Sequence, residues 1–170
     1  MTVPPRILSR ALIYDGWLRL ESVRFRMPDG EVVERHVEDH GAAASVLPYD
    51  PTRKTVLLVS MPRAPVSDSG VPDLLEAIAG RIEDEDAETC VRREALEEGG
   101  VRLGELELVV QAWSLPSIST ERNSLFLAPF GEDDLIGEGE ERPTRMKVSP
   151  FIIFLSPTHG RCWKPAEFQT

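Results

Sequence analysis

The sequence predicts an α+β fold in which a mixed β-sheet carries one acidic helix and follows an N-terminal β-hairpin. Short apolar runs bounded by Pro, Gly and Asp recur along the chain and are typical of strands. A single longer segment, residues 87–98, places apolar and acidic residues at helical spacing and ends at Gly99 and Gly100. The chain has 170 residues, 41% hydrophobic and 28% charged, which suits one globular core.

The predicted elements follow one another with short connections. Residues 17–26 and 31–37 are strand-like and are joined by a Met-Pro-Asp-Gly turn, so they form the N-terminal hairpin. A Pro-Tyr-Asp-Pro turn at 48–51 separates two further strands, and residues 65–72 are predicted to be a loop. The remaining predicted strands are 43–47, 55–60, 74–78, 107–112 and 124–128.

The helical segment is unusual because its acids lie on the continuation of its apolar face. Asp86 or Glu85 is placed to cap its N-terminus or to act as a first-turn acid. Positions 87, 90/91, 94, 97/98 and 101 form one stripe. That stripe begins with Ala87, Cys90 and Val91 and continues with Glu94 and Glu98.

Inward-facing carboxylates repel one another unless a cation compensates them, and hard oxygen ligands suit Mg²⁺ or Mn²⁺. The alternative is a charged helix whose acids are solvated, the usual meaning of a Glu/Arg-rich segment. The position of the acids on the stripe favours the metal interpretation.

The segment around this helix resembles the characteristic motif of the Nudix hydrolase family. The residues that carry the resemblance are the strand-like apolar run 74–78, a turn predicted at Ala79-Gly80, the acidic loop after it, and the run REALEEGG from Arg93 to Gly100. The segment between Gly80 and Arg93 is one residue shorter than the common spacing, which resembles the GDP-mannose pyrophosphatases and their neighbours, the ADP-ribose pyrophosphatases. The resemblance covers about residues 15–130 and implies an α/β/α sandwich.

The resemblance implies roles for the residues of this motif. Glu94, Glu97 and Glu98 would be catalytic, and Glu94 and Glu98 would bind the metal together with the backbone carbonyl of Ala79. Arg93 is expected to be structural and to pair with an acid of the turn, either Glu76 or Glu85.

Outside the motif, the resemblance implies a substrate-binding set of Trp17, Arg35, Arg63 and Glu121. Trp17 would stack on the nucleotide base and Arg63 would meet the phosphates. Ser117 and Ile118 stand where related proteins have two glycines, which leaves the identity of the substrate open.

The function implied is divalent-metal-dependent hydrolysis of the pyrophosphate bond of a nucleotide sugar. GDP-mannose is the first expectation and ADP-ribose the second. A Nudix-like module that binds nucleotide with little or no turnover is the alternative of another class. Related pyrophosphatases exchange the N-terminal hairpin between subunits, so a homodimer is expected.

The composition of the chain disfavours several other classes of partner. A net charge of −10 disfavours a nucleic-acid groove or an anionic membrane surface as partner, and the chain contains no long apolar span or signal-like N-terminus, so a cytoplasmic protein is expected. Two cysteines are too few for a disulfide framework, and Cys90 is expected to be a small buried hydrophobic residue. The three histidines, His36, His40 and His159, show no ligand spacing and are interpreted as structural or surface residues.

The C-terminal tail departs from the family pattern from about residue 142. Related proteins continue with an acidic loop, a strand and a closing helix, whereas residues 142–166 contain no acid. Codons compatible with residues 142–169, shifted by two nucleotides, read ADEDEGITVHHLPLSDAWALLEAGRISD, which has those features in order. We hypothesise a frameshift in the gene or in its recorded sequence; a lineage-specific extension with a strand at 151–155 is the alternative. The closing helix is therefore predicted to be absent or altered.

Three regions are predicted on these grounds. Residues 1–41 are the N-terminal strands used for dimerisation, residues 42–140 the catalytic domain, and residues 141–170 the atypical tail.

Overall fold

The computed structural model describes residues 4–70, 74–137, 139 and 143–147. The chain order of the elements is β1 (Arg6–Asp15), β2 (Arg19–Arg26), β3 (Val32–Asp39), β4 (Ala42–Asp50), β5 (Thr55–Leu58), α1 (Ala64–Asp68), β6 (Ile78–Ile82), α2 (Ala87–Glu97), β7 (Glu107–Trp113), β8 (Arg122–Pro129), a 3-10 helix (Glu132–Asp134) and β9 (Thr144–Lys147). The alternative tail strand at 151–155 and the region where related proteins have the closing helix lie outside the described residues.

The strands form two sheets. The first has the order β1-β2-β3 and is antiparallel throughout. The second has the order β7-β8-β4-β5-β9, and β6 also pairs with β4. The β4–β8 pair is parallel, whereas the other pairs of this sheet are antiparallel. The mixed sheet with its helix confirms the predicted α+β class.

Strand β4 is central to the second sheet because one of its edges is long enough to pair with two strands, β6 and β5. Its first half, from Ala42 to Val46, pairs with β6, and its last two residues pair with β5. Pro48, which has no N–H to donate, lies between these two pairings. The predicted turn therefore begins two residues later than expected, at Asp50, whose carboxylate accepts hydrogen bonds from the backbone N–H groups of Thr52 and Arg53.

Helix α2 packs its apolar stripe on this sheet, against β6 and β4. Burial of this apolar surface is the main stabilising term for the helix, which is only 11 residues long. The fully or nearly fully buried core consists of Ala44, Val46, Leu57, Val59, Ile78, Cys90, Val91, Ala95, Val101, Phe126, Ala128 and Phe130.

The N-terminal unit has one strand more than the predicted hairpin. Strand β1 was missed because its apolar residues do not alternate with polar ones: Ile7 and Leu8 are adjacent, as are Leu12 and Ile13. All ten of its residues are exposed, so no buried face imposes a period of two on the sequence. The prediction of a two-stranded hairpin was therefore incomplete.

The strand predicted at 74–78 was wrong in position. Strand β6 begins at Ile78 and continues through Gly80 to Ile82, while Glu76 makes only an isolated bridge to Val59. The turn predicted at Ala79-Gly80 does not exist, because the chain turns after β6 instead. Three further elements were not predicted. Helix α1 overlaps the expected loop, the 3-10 helix follows β8, and β9 pairs with β5 although its sequence, TRMK, has no apolar alternation.

Candidate active site

Helix α2 begins and ends as its sequence predicts. Asp86 is the N-cap, and its carboxylate accepts a hydrogen bond from the backbone N–H of Thr89 at 2.8 Å. That bond holds the pKa of Asp86 below its ordinary value. Glu98 is the C-cap, and Gly100 follows with φ of +59°, a conformation that favours glycine. The acids are therefore fixed on the last turn of a well-terminated helix.

Glu94 lies on the inward side of the helix, directly against the backbone of β6. The Glu94 side chain is 13% exposed. It fills the space that a Cβ on residue 80 would need, because such a Cβ would lie only 1.9 Å from Glu94 Oε1. Gly80 has no positive φ, so a left-handed turn is not its role. The glycine is required because a carboxylate packs against the main chain beside Ala79.

Arg93 connects the acids of the helix to the loop before it. Its guanidinium donates to Glu85 at 2.7 and 3.1 Å, and also contacts Glu94 at 2.8 Å and Glu97 at 2.9 Å. These acids, Glu85 first, raise the pKa of Arg93 further above its ordinary value. Of the two predicted partners, Glu85 is confirmed. Glu76 is not a partner, because it pairs with Arg63.

The donor chemistry of this region fits a hard divalent cation: two carboxylates one turn apart and a backbone carbonyl beside Gly80. The space created by Gly80 for the Glu94 carboxylate supports the same interpretation. Within the described residues, no three acid, His or Cys side chains converge as a ligand group, and one oxygen of Glu94 is held by Arg93. A bound ion would therefore compete with the Arg93 guanidinium for Glu94.

An open cavity lies between the acidic loop after β6 and the second half of α2, and only part of its wall was predicted from the sequence. It is lined by Arg81, Glu83, Asp84, Glu85, Arg93 and Glu94. Arg81, Glu83 and Asp84 were missed, although the acidic run after β6 was a signal for the latter two. The wall carries four acids and two guanidiniums, a surface suited to phosphate groups only with cations present.

Cys90 is fully buried beneath this site, as predicted. Its thiol donates weakly to the carbonyl of Arg81 at 3.6 Å. Burial, with the nearby Glu85 carboxylate, raises the pKa of Cys90 to about 11. A thiol with this pKa remains protonated at neutral pH, so Cys90 contributes packing.

Arg63, expected to meet phosphates, forms a two-pronged pair with Glu76. Its Nε and Nη2 donate to the two carboxylate oxygens at 3.1 and 3.2 Å. The pair joins the residue before α1 to the bridge segment before β6. This places a guanidinium of fixed orientation near β6.

Trp17 and Glu121 are brought together, although 104 residues separate them in the sequence. Trp17 lies in the turn between β1 and β2 and stacks on His40, with ring centroids 5.6 Å apart and planes at 18°. His40 Nδ1 lies 3.2 Å from Glu121 Oε2. His40, interpreted from sequence as a structural or surface residue, is thus the residue that joins them, and no local pattern indicated it.

Arg35 lies apart from this group. It is exposed on β3 opposite Val23, and its guanidinium donates to the carbonyl of Glu34. It lies five positions before His40, a distance of about 16 Å along an extended chain. One protomer therefore does not bring Arg35 to the Trp17 end of the sheet.

A mixed sheet with an acidic helix packed on it is the arrangement that the motif predicts, and the comparisons agree. A NUDIX domain model matches residues 39–147. The GDP-mannose pyrophosphatase of Pectobacterium atrosepticum is 36% identical over 162 residues, covering 89% of this chain and 83% of that protein. The GDP-mannose pyrophosphatase of Cronobacter sakazakii is 32% identical over 160 residues, covering 89% of this chain and 84% of that protein.

The chain therefore belongs to the Nudix family and is a Nudix pyrophosphohydrolase. A solved structure described as "Crystal structure of ADP compounds hydrolase" has the same fold, with a TM-score of 0.66, 18% sequence identity, and coverage of 86% of this chain and 78% of that one. Among the described residues, no helix combines the length and apolar character needed to span a bilayer.

Proposed function

We propose that this protein hydrolyses the pyrophosphate bond of a nucleotide sugar with Mg²⁺ or Mn²⁺, and that its substrate is of the GDP-mannose type. The products would be GMP and mannose 1-phosphate. One observation carries the proposal: the Glu94 carboxylate packs against Gly80, the residue that follows Ala79, and lies one helical turn from Glu98. The names of the relatives at 32% and 36% identity support the substrate class.

In this proposal Glu94, Glu98 and the Ala79 carbonyl hold the ion, and Glu97 flanks it. A bound divalent ion neutralises pyrophosphate charge and acidifies a bound water, which is the chemistry the site would gain. Arg93 orients Glu94 and Glu97 from one side and ties them to Glu85. Removal of Glu85 would therefore disturb the acids of the helix through Arg93.

The substrate-binding residues divide into two groups. Trp17 and Glu121 form one group around His40, whereas Arg63 lies near β6 with Glu76. In this proposal Trp17 stacks on the base and Glu121 contacts the substrate beyond it. Arg63 is the proposed phosphate contact.

We propose that Arg35 contributes to the site of a second copy of the chain. Strand β1 is exposed along all ten residues, and the large apolar side chains Ile7, Leu12 and Ile13 are 45%, 53% and 52% exposed. A surface of this kind favours a partner. We propose a homodimer in which the N-terminal region, residues 1–41, brings Arg35 to the partner's catalytic region, residues 42–140, while Trp17 serves the site of its own chain.

Two other functions have specific support. The fold shared with a structure titled as an ADP compounds hydrolase favours ADP-ribose, cleaved to AMP and ribose 5-phosphate, as second substrate. A module without effective turnover is favoured by the contact of Arg93 with Glu94 and by the absence of acids from residues 142–166.

A panel of nucleotide sugars with Mg²⁺, read as phosphate after phosphatase coupling, separates these functions. We expect phosphate to be released faster from GDP-mannose than from ADP-ribose. The Glu98→Gln variant should release none. Binding without release would support the module instead. A Glu98→Gln variant that keeps the wild-type rate would remove Glu98 from the metal site.

A further inference from the structure

His40 lies at the junction of the two sheets, between two side chains that the proposed function uses. The imidazole is 22% exposed and has three neighbours. Its ring stacks on Trp17, its Nδ1 lies 3.2 Å from Glu121, and its Nε2 lies 3.9 Å from Glu38. Residues from the β1–β2 turn, the end of β3 and the loop before β8 therefore converge on one ring.

The backbone around His40 holds this arrangement in place. The residue pair Glu38 and Ser119 forms a parallel bridge, in which Glu38 N–H donates to Ile118 at 2.9 Å and Thr120 N–H donates to Glu38 at 3.0 Å. The loop that precedes Glu121 is thereby attached to the end of β3. The N–H of Glu121 in turn donates to the buried Ser119 hydroxyl at 3.1 Å.

Trp17 has one covered face and one open face. The indole is 74% exposed although His40 stacks on it, so the face away from His40 is available to a ligand. Fixing an aromatic ring before binding reduces the entropy that a stacked base would otherwise cost. The His40 imidazole can hold the Trp17 ring in place before a ligand binds, while its Nδ1 orients the Glu121 carboxylate.

We infer that His40 is a positioning residue that fixes the Trp17 indole and the Glu121 carboxylate as one unit, with the open indole face ready to receive a nucleobase. The inference rests on the proposed function for the roles of Trp17 and Glu121. His40 itself does not touch the reacting phosphates. Its two contacts are separable, because one uses the ring face and the other uses a ring nitrogen.

Two substitutions separate these contacts. His40→Phe keeps a ring to stack on Trp17 and loses the contact with Glu121, whereas His40→Gln keeps an N–H donor and loses the ring. His36→Gln is the matched control, because His36 is exposed on β3, four residues before His40, and is not one of the proposed site residues. The probes are GMP and AMP, titrated by calorimetry, and GDP-mannose and ADP-ribose with Mg²⁺ in steady-state assays.

We expect His40→Gln to weaken binding of a nucleoside monophosphate about tenfold, within the range of one lost base stack. His40→Phe should leave that affinity within about twofold and raise KM for the nucleotide sugar, with kcat little changed. In a Trp17→Ala background, adding His40→Gln should alter monophosphate affinity by less than about twofold, since the stack is already gone. This double variant also distinguishes positioning from general loss of folding.

Equal losses in His40→Phe and His40→Gln for both ligand types, or losses no larger than in His36→Gln, would overturn the inference. Failure of the wild-type chain to bind either monophosphate would overturn it as well. A wild-type chain that binds monophosphate but releases no phosphate from nucleotide sugars would instead contradict the proposed function, and the binding measurements would still decide the role of His40.

Discussion

Replacement of Gly80 by alanine tests whether this glycine exists to admit the Glu94 carboxylate. An alanine Cβ would lie 1.9 Å from Oε1, 2.2 Å from Cδ and 2.4 Å from Cγ of Glu94. The backbone at Gly80 is not left-handed, so alanine itself fits the strand conformation. The steric conflict is therefore with one side chain, and Glu94 must move away.

The substitution should change the stability of the protein little and its catalytic rate strongly. Gly→Ala at a compatible conformation stabilises a protein by about 0.4–1 kcal/mol, and forcing a side chain off its rotamer costs about 0.5–1.5 kcal/mol. The free energy of unfolding should thus change by no more than about 1 kcal/mol. Displacement of a catalytic group by about 1 Å can cost about 100-fold in rate, so kcat/KM should fall by about that factor.

The assays are urea unfolding, Mg²⁺-dependent phosphate release and Mn²⁺ titration followed by electron paramagnetic resonance. Gly137→Ala is the matched control, because a Cβ there meets nothing within 4 Å and its φ is ordinary. A Gly80→Ala protein that keeps its Mn²⁺ affinity and activity within about threefold of the control would refute the reasoning. So would a loss of stability of about 3 kcal/mol or more, since it would show a backbone conflict.

Four further perturbations follow from the site. Glu94→Gln should abolish metal-dependent turnover and weaken Mn²⁺ binding while leaving the far-ultraviolet circular dichroism spectrum unchanged; retained Mn²⁺ affinity would contradict the ligand role. Arg63→Gln should raise KM about tenfold with kcat within about threefold, because it would remove the proposed phosphate contact; a loss confined to kcat would argue against that role. Asp86→Ala should lower the melting temperature at pH 7 by removing the helix cap. Because the folded-state pKa of Asp86 lies below its ordinary 3.8, the cap is fully effective above that pH, and the difference from wild type should shrink as pH falls below it; a pH-independent difference would refute this. In a Cys162→Ser background, Cys90 should resist alkylation at pH 8 until the protein is unfolded, because its pKa is about 11 and it is fully buried; rapid labelling of the native protein would contradict the burial.

The helix and the class of fold were predictable because their signals are local. An N-cap acid, an apolar stripe and a double glycine all lie within α2 and its flanks, and they locate the helix to within one residue of its observed end. The mixed sheet follows from several short apolar runs and one helix, and is likewise confirmed. Strand β1 lacked such a signal, because an exposed strand has no alternating pattern.

Gly80 illustrates a limit of sequence reasoning. A glycine is required by a left-handed turn and equally by a close approach of another group, and the sequence does not distinguish the two. The turn interpretation shifted the predicted strand four residues towards the N-terminus. The structure resolves this, because Gly80 lies within β6 and faces Glu94.

Pairings between distant side chains were also beyond the sequence. The sequence left Glu85 and Glu76 as alternative partners of Arg93, and the structure decides for Glu85 because Glu76 pairs with Arg63. The cluster of Trp17, His40 and Glu121 depends on strand pairing across both sheets. A single histidine without ligand spacing carries no local sign of such a role.

The central claim is that Glu94 and Glu98 face inward to hold a divalent ion beside the Ala79 carbonyl. Crystals grown or soaked with Mn²⁺ test it directly through the anomalous signal of the metal. The account predicts a peak bound by both carboxylates and the carbonyl, with Glu94 released from Arg93. Density that shows Glu94 still paired with Arg93, Glu98 in solvent and no metal peak between them would contradict it.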